Sequence, residues 1–528
     1  MVMALSSSSA LDSESVVNNG ESWFKQSDLM ERKISLASLE SCQAPSRHSQ
    51  PSRYFAVPDK PGDIFKILIR IGVLICLTAP VLLVLYSAFF KPTQRFPLPK
   101  NIHVIQNVQV IDNEPTNMSH ILFGIGGSVN TWRERSHYCE LWWEPNATRG
   151  FVWLDKKPKY NVSQPQLLVP YQISRGWRQF RYSHSDSEVR IARIVYESFK
   201  LGLPNVRWFV MGDDDTVFFT KNLVTVLGKY DHNEMYYIGG NSESVEQDVM
   251  HAYGMAFGGG GFAISYALAA QLANIFDNCL HRYFYFYGSD QRVWACVSEI
   301  GVPLTKESGF HQLDIKGNPR GFLAAHPLAP LVSLHHLDYL HPLFPNQTQI
   351  DSVKAIMDAY HVDPSRIMQQ TFCYVPKRGW SISISWGYIV LIYPSLLPAN
   401  DLQTPLQTFK TWRTDSDGPF TFNTRPMSSD PCQLPALYFL DQAKEVSTSG
   451  STTSYKRFVP EDVMKCMTAG TYPVEVESIT VSALKLKLDY WKKVPRRQCC
   501  LLLDGGSIKD GNMRMRIKKC RPRETVTI

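Results

Sequence analysis

Short apolar runs alternate with a helical pattern along residues 119–240. Four runs end in glycine or aspartate and are typical of buried strands, at 121–125, 151–154, 208–211 and 235–238. Between the second and third runs, apolar residues recur at the spacing of one helix face, at Ile191, Ile194, Val195 and Phe199. Strands that alternate with helices predict a parallel or mixed sheet. We therefore predict an α/β domain over 119–375, with helices flanking a mixed sheet.

From about residue 376 the apolar period changes to two. Trp380, Ile382, Ile384 and Trp386 alternate with serines, as in a strand with one buried face. Similar β texture returns at 474–488 and 499–503. We predict a C-terminal β-rich, sandwich-like module over 376–528.

One segment near the N-terminus predicts a membrane anchor. Residues 71–90 contain no charged side chain, and about 20 such residues are the length that a helix needs to cross a bilayer. The segment begins too far from residue 1 for a cleaved signal peptide. We therefore predict a single transmembrane signal-anchor over 64–90, between a disordered cytosolic tail (1–63) and a stem (91–118).

Sequons and cysteines indicate which side of the membrane holds the body of the protein. The N-glycosylation sequons all follow the predicted span, at Asn117, Asn146, Asn161 and Asn346. Nine of the eleven cysteines also follow it, since only Cys42 and Cys76 do not. In an oxidising lumen we expect a Cys279–Cys296 bridge, further bridges within 432–520 and at least one unpaired cysteine. The predicted orientation is single-pass type II.

Composition limits the classes of partner. The chain has 528 residues with 44% hydrophobic composition, enough for a large core and more than one folded unit. The formal net charge of +7 is small for this length, and no basic run is interleaved with aromatic residues. Nucleic-acid binding is therefore not predicted. The basic residues over 514–523 fit alternating strand faces or an exposed tail.

Three consecutive aspartates, Asp213, Asp214 and Asp215, follow the strand predicted at 208–211. Adjacent carboxylates repel one another, and either a divalent cation or full hydration relieves the repulsion. A solvated turn is the commoner explanation for such a triplet. However, ligands of open α/β sheets bind at the carboxyl ends of strands. The position favours a Mg²⁺ or Mn²⁺ site that holds a diphosphate.

Three further segments contain candidate chemistry. The glycine run 258–261 lets the backbone approach a ligand closely. Asp290 precedes an apolar helix face, where an N-cap is the commoner role and is compatible with a role as general base. His335 and His336 are adjacent, and imidazole suits Mn²⁺ better than Mg²⁺. If His336 joins the aspartates, we expect the ion to be Mn²⁺.

In order, these segments are Trp-Phe-Val-Met-Gly-Asp-Asp-Asp, Gly-Gly-Gly-Gly-Phe-Ala, Asp290 ahead of VSEIGVPLT, and His-His-Leu-Asp. The set resembles the Fringe-related β-1,3-glycosyltransferases of glycosyltransferase family 31, and most of all the plant Fringe-like branch described as a domain of unknown function. The resemblance covers about residues 119–345, and the β-rich extension of the plant branch extends it over nearly all of the luminal part. It implies a GT-A fold, a UDP-sugar donor, a glycan acceptor and Mn²⁺.

The resemblance also implies roles for single residues. Asp290 corresponds to the catalytic base. The implied metal ligands are Asp215, Asp213 and His336. The residues expected to contact the donor are Asp155, Arg135, Asp213, Asp214, Gly259 and Gly260. The chain departs from the family pattern at Asp338, where the family has Glu, at 124–129 and after Asp155.

The implied function is inverting, β-1,3-type transfer of a sugar from a UDP-sugar to a glycan hydroxyl by a Golgi membrane enzyme. The alternative is a catalytically silent Golgi lectin or chaperone on the same fold, which would be expected to lose metal or base residues. A phosphate-handling enzyme has less support because the chain lacks a Walker-type loop. A homodimer or a complex with another glycosyltransferase stays open.

Overall fold

The computed structural model describes residues 114–158, 168–468 and 472–527. The predicted tail (1–63), the signal-anchor (64–90), most of the stem (91–118) and the sequon at Asn161 lie outside the described residues. Within the described ranges, no helix has both the length and the apolar composition that crossing a bilayer requires.

The strands described up to residue 334 belong to three sheets, two of which have a mixed direction of pairing. They are β1 (Ile121–Gly126), β2 (Gly150–Leu154), β3 (Tyr171–Ile173), β4 (Trp208–Asp213), β5 (Val217–Phe218), β6 (Tyr237–Gly239), β7 (Phe262–Ser265), β8 (Leu304–Lys306), β9 (Phe310–His311), β10 (Ile315–Gly317) and β11 (Ser333–Leu334). Seven form one sheet in the order β3-β2-β1-β4-β7-β6-β8. In it β1, β2, β3 and β4 are mutually parallel, whereas β7 is antiparallel to both of its neighbours. The predicted mixed α/β sheet is confirmed, with β4 at its centre.

Helices cover this sheet and connect its strands. The described helices are α1 (Val129–Glu140), α2 (Ser187–Ala192), α3 (Ile194–Lys200), α4 (Thr220–Leu227), α5 (Val245–Met250), α6 (Tyr266–Arg282), α7 (Ser289–Ile300), α8 (Arg320–Ala324), α9 (Gln349–Val362) and α10 (Ala399–Gln403). Side-chain oxygens of Ser128, Ser265 and Thr348 cap α1, α6 and α9 by accepting backbone N–H bonds. The helical face predicted at 191–199 is divided between α2 and α3.

Neighbouring residues of the central strands face opposite apolar layers. Phe123 and Val210 lie in one layer, and Leu122 and Phe209 lie in the other. Both faces of the sheet are therefore buried, which explains why its strands are continuous apolar runs. The first layer continues into the apolar interior of the C-terminal strands.

The C-terminal strands close into a barrel. They are β12 (Gln370–Val375), β13 (Trp380–Ser385), β14 (Ile389–Tyr393), β15 (Phe409–Thr411), β16 (Ala436–Ser447), β17 (Gly450–Phe458), β18 (Ser478–Leu484), β19 (Cys499–Leu502), β20 (Ile508–Lys509) and β21 (Asn512–Lys518). Nine of these ten strands pair in the order β18-β17-β16-β14-β13-β12-β19-β21-β20, and β18 also pairs with β21. The tenth, β15, lies outside the barrel and pairs with β10. The sandwich-like prediction is wrong in this respect. Inward–outward alternation is the same in sandwiches and barrels, and closure depends on the distant pairing of β18 with β21.

Four disulfides connect the described residues, and Cys139 is free and buried. The predicted Cys279–Cys296 bridge is confirmed and joins α6 to α7. Cys432–Cys466 and Cys499–Cys520 lie within the predicted set. Cys500 pairs outside that set, with Cys373 of β12. This number of bridges is typical of proteins that fold in the secretory pathway.

Candidate active site

The three consecutive aspartates lie at the carboxyl end of the central strand β4. Asp213 is the last residue of the strand and is in register with Gly126 of β1. Its side chain is 34% exposed, whereas Asp214 and Asp215 are buried. Open α/β sheets bind ligands at this edge.

His335 lies beside the aspartates because β11 pairs with β5. Leu334 is in register with Val217. His335, which follows β11, is therefore brought to Asp215 and Thr216, which precede β5. Nε2 of His335 is 3.0 Å from Oδ1 of Asp215 and 3.9 Å from Oδ2 of Asp213. In the described part of the chain, these three side chains form a group whose ligand atoms all lie within 4.8 Å of one another. One metal ion can bind all three.

Burial and nearby charges set the protonation of this group. Burial alone would raise the pKa of Asp215, but His335 and Arg135 outweigh it and hold that pKa well below its usual range. Burial alone would lower the pKa of His335, but the negative charge of Asp215 raises it to about 9. Burial and the charge of Asp215 raise the pKa of Asp214 to about 7. At neutral pH and without a bound ion, Asp215 is therefore an ionised partner of a protonated His335, which has to lose its proton to bind a metal.

Arg135 of α1 points its guanidinium at the acidic group. Its Nη1 is 3.0 Å from Oδ2 of Asp215 and 3.6 Å from Oδ1 of Asp214, and its Nε is 3.9 Å from Oδ2 of Asp338. The Asp338 carboxylate also accepts a hydrogen bond from the hydroxyl of Tyr138. Arg135, which is expected to contact the sugar-nucleotide donor, thus balances the charge of Asp214 and Asp215.

His336 lies in a different environment from the one predicted for it. Its Nδ1 is 3.0 Å from Oδ1 of Asp314, and its ring stacks on Trp412 with centroids 4.4 Å apart. Its φ of +53° is left-handed, which turns the chain directly after His335. His335, and not His336, completes the group of ligand atoms among the described residues. The prediction is corrected accordingly, because sequence alone cannot tell which of two adjacent histidines faces a site.

The glycine run packs against the site. The N–H of Gly258 donates to Oδ2 of Asp290 at 3.0 Å, and the N–H of Gly260 donates to Oε1 of Gln312 at 2.6 Å. These two N–H groups are bonded within the protein. The carbonyl of Gly259 accepts a hydrogen bond as well. The run is therefore packed against Asp290, Gln312 and Thr216.

Gly259→Ala is expected to displace His335. A β-carbon at Gly259 would lie 2.1 Å from Cε1 of His335, which is too close for any stable contact. Because the ring has to move, we expect a loss of about 1–3 kcal/mol in the free energy of unfolding, measured by thermal or urea denaturation. Gly254→Ala is the control, because its new β-carbon would lie 3.6 Å from Nε1 of Trp294, an ordinary contact. Equal effects of the two changes would contradict this packing.

Asp290 lies in the first turn of α7, whose N-cap is Gly288. Its Oδ1 accepts the N–H of Gln291 at 2.9 Å, and its Oδ2 accepts the N–H of Gly258. Asp290 and Asp213 line the same cavity, together with apolar side chains of α2, α3 and α7. Two carboxylates from different elements thus share one cavity at the edge of the sheet.

Asp155 follows β2 and holds the start of α1. Its Oδ1 accepts the N–H of Val129, the first residue of that helix, at 2.8 Å. A carboxylate at a helix N-terminus is stabilised by the unpaired N–H groups there. Asp155 therefore fixes the helix that contains Arg135.

Sequence reasoning missed a buried ion pair between Arg292 and Glu188. Arg292 is fully buried and donates to the carbonyls of Phe284 and Phe286 at 2.8 and 2.7 Å, besides pairing with Glu188. Glu188 in turn accepts the backbone N–H groups of residues 183–185. The pair fastens two loops to the first turn of α7. An arginine among apolar residues of a helix was the available signal.

Arg292→Met is expected to lower the free energy of unfolding by about 3–5 kcal/mol, because it leaves the buried carboxylate of Glu188 without its cation. Urea denaturation measures the change. Arg282→Met is the matched control, because Arg282 pairs with Glu299 at the surface and such pairs contribute about 0–1 kcal/mol. If the two variants were equally stable, the buried pair would not hold these loops.

Comparison with known proteins identifies a family. Residues 247–500 match the family model described as "Protein of unknown function, DUF604". This match confirms the family predicted from the sequence and includes Asp290 and His335, although it begins after the aspartates. No curated protein matches the chain.

Two solved structures show weak similarity. The catalytic domain of Drosophila beta1,4-galactosyltransferase 7 in complex with xylobiose is 11% identical, with a TM-score of 0.21. The match covers 35% of this chain and 64% of the galactosyltransferase domain, so this chain spans less than two thirds of that domain. Mouse xyloside xylosyltransferase 1 in its apo form is 9% identical, with a TM-score of 0.22. The match covers 34% of this chain and 81% of the xylosyltransferase. Similarities this low support no conclusion about activity.

Proposed function

We propose that this chain, a member of the DUF604 family through residues 247–500, is a GT-A-type glycosyltransferase that transfers a sugar from a UDP-sugar to a glycan hydroxyl. One observation supports this most strongly. Asp213, Asp215 and His335 offer ligand atoms within 4.8 Å of one another, and Asp290 lines the same cavity as Asp213. A base for the acceptor hydroxyl and a positive charge for the departing diphosphate are the two groups that inverting sugar transfer uses.

This set of ligand atoms fits a divalent ion, and it fits Mn²⁺ best. Two carboxylates and an imidazole combine the oxygen ligands that Mg²⁺ and Mn²⁺ share with a nitrogen ligand that favours Mn²⁺. Asp213, Asp215 and His335 would hold the ion. When bound, it supplies Lewis-acid stabilisation of the charge that develops on the departing UDP. Arg135, already 3.0 Å from Asp215, adds a fixed positive charge to the same group.

Asp290 is proposed as the general base. Its Oδ2 is oriented by the N–H of Gly258 at 3.0 Å, and the partly exposed carboxylate lines the cavity. It accepts the proton of the acceptor hydroxyl as that oxygen attacks the anomeric carbon. Attack opposite to the departing UDP inverts the configuration, so an α-linked donor gives a β-linked product. The β-1,3 linkage is expected from the family resemblance.

The acceptor is proposed to enter beside the loops held by Arg292. Tyr285 and Tyr287 are 56% and 46% exposed there, and His184 packs against Tyr287 with ring centroids 5.1 Å apart. Exposed aromatic rings next to a polar group are common in sites that bind small ligands. The roles of Asp155, Asp214, Gly259 and Gly260 at the donor remain part of the proposal.

A Golgi location with the catalytic domain in the lumen completes the proposal. The four disulfides support folding in the secretory pathway. The single-pass type II orientation rests on the uncharged run at 71–90 and on the sequons that follow it.

Purified full-length chain tested with Mn²⁺ and a panel of UDP-sugars is the direct assay. We expect UDP release from one donor that rises when a glycan acceptor is added and stops when the metal is chelated. UDP binding without release from any donor would instead identify a silent lectin or chaperone. The ion pairs of Asp215 with Arg135 and His335 favour that second candidate, because they balance its charge without an ion.

A further inference from the structure

The positive charge of the chain is concentrated in residues 485–523. This segment has thirteen lysines and arginines and three aspartates, a formal net charge of +10, whereas the whole chain has +7. On β21, Met513 and Met515 fill the barrel, so Arg514 and Arg516 are exposed on its outside. The outer face of the module therefore has a strong positive field.

Part of this segment forms a cleft of about 390 Å³, which we name the basic cleft. Its cationic lining residues are Lys485, Lys487, Lys493, Arg496, Arg497 and Lys519. Lys485 pairs with Glu445, and Asp489, the acidic residue in the lining, is 3.7 Å from Nζ of Lys493. No described residue forms an ion pair with Lys487 or Lys519. Half-buried Tyr490 is part of the wall.

The walls of the basic cleft are fixed by buried contacts. Nε of Arg366 is 3.0 Å from Oδ2 of Asp363, and both residues are buried. Asp363 accepts the N–H of Leu486 at 3.2 Å, and Arg366 donates to the side chain of Gln498. The disulfide Cys499–Cys520 ties the opposite wall to the barrel. A cleft held in this way loses little conformational entropy when it binds a ligand.

We propose that the basic cleft binds an acidic polysaccharide through the carboxylates of its sugar residues. Lysine and arginine bind carboxylates through charge-assisted hydrogen bonds, and Tyr490 offers an apolar face for a sugar ring. The concave shape suits one sugar residue, whereas a membrane surface is flat. Arg516 extends the positive surface for the neighbouring residues of a chain, whereas Arg514 pairs with Asp504. No residue of the cleft belongs to the Asp213, Asp215 and His335 group, so the proposal does not depend on sugar transfer.

Calorimetric titration of the full-length chain with an oligogalacturonate tests the proposal. We expect binding at low salt that weakens strongly at roughly 0.5 M NaCl, where charges are screened within a few ångströms. Lys487→Glu combined with Lys519→Glu should weaken it by at least about tenfold, because two attractive contacts become repulsive. Lys157→Glu combined with Lys306→Glu is the control, since it makes the same change of net charge at exposed positions outside the cleft.

The controls separate folding, charge and ligand class. Lys487→Arg combined with Lys519→Arg should keep the affinity, because the positive charges stay in place. An uncharged oligosaccharide should not bind. The proposal is overturned if the oligogalacturonate does not bind, if both glutamate variants weaken binding equally, or if vesicles of anionic phospholipid bind and the oligogalacturonate does not.

Discussion

Asp290→Asn should lower the rate of sugar transfer by about 10²- to 10⁴-fold, the usual contribution of a general base. The change keeps the size of the side chain and an oxygen that can accept the N–H of Gly258. It removes the carboxylate that we propose takes the acceptor proton. Because Asp290 is not among the proposed metal ligands, Mn²⁺-dependent UDP binding should stay within about twofold, which is less than 0.5 kcal/mol. Initial rates and calorimetry on the same preparation measure both effects.

Glu299→Gln is the matched control for Asp290→Asn. It removes a carboxylate from the same helix, where Glu299 pairs with Arg282 at the surface. Its rate should equal that of the unchanged chain. Full transfer activity in Asp290→Asn would show that another group, or water, accepts the proton.

Asp215→Asn should abolish Mn²⁺-dependent UDP binding together with transfer. We expect a loss of at least roughly 100-fold in affinity, because even residues that only orient metal ligands contribute about 10- to 100-fold. The variant also leaves Arg135 and His335 without the carboxylate that lies 3.0 Å from each of them. A lower unfolding temperature is therefore expected as well, and UDP binding has to be measured below it.

Asp338→Asn is the control for Asp215→Asn. Asp338 also lies near Arg135, with 3.9 Å between carboxylate and guanidinium, but it is not among the proposed metal ligands. Manganese-dependent UDP binding should survive this change. If both variants bound UDP with manganese as tightly as the unchanged chain, the ion site would not lie at Asp215.

The fold was predictable where local pattern decides it. The continuous apolar runs predicted the central strands, and the change of the apolar period near residue 376 predicted the β-rich module. Closure of that module was not predictable, because the pairing of β18 with β21 joins distant segments whose alternation fits a sandwich equally well. The Cys373–Cys500 bridge was missed for a similar reason, since its partners lie 127 residues apart.

The site was predictable as a set of segments but not in every side chain. Asp213, Asp215 and Asp290 do line one edge of the sheet, because strand ends and helix starts meet there. Which of the two histidines faces the aspartates depends on the left-handed backbone of His336. A histidine does not require that conformation, so the sequence does not reveal it. The buried pair of Arg292 with Glu188 joins segments 104 residues apart, so the arginine within an apolar helix pattern marked one partner but did not identify the other.

Calorimetric titration of UDP into the full-length chain, with Mn²⁺ and with a chelator in its place, tests the central claim most directly. The claim is that Asp213, Asp215 and His335 hold a divalent ion that binds a nucleotide diphosphate. We predict binding of UDP with Mn²⁺ and at least roughly tenfold weaker binding with the chelator, a difference of about 1.4 kcal/mol. Equal UDP binding under both conditions, or none in folded protein, would contradict it.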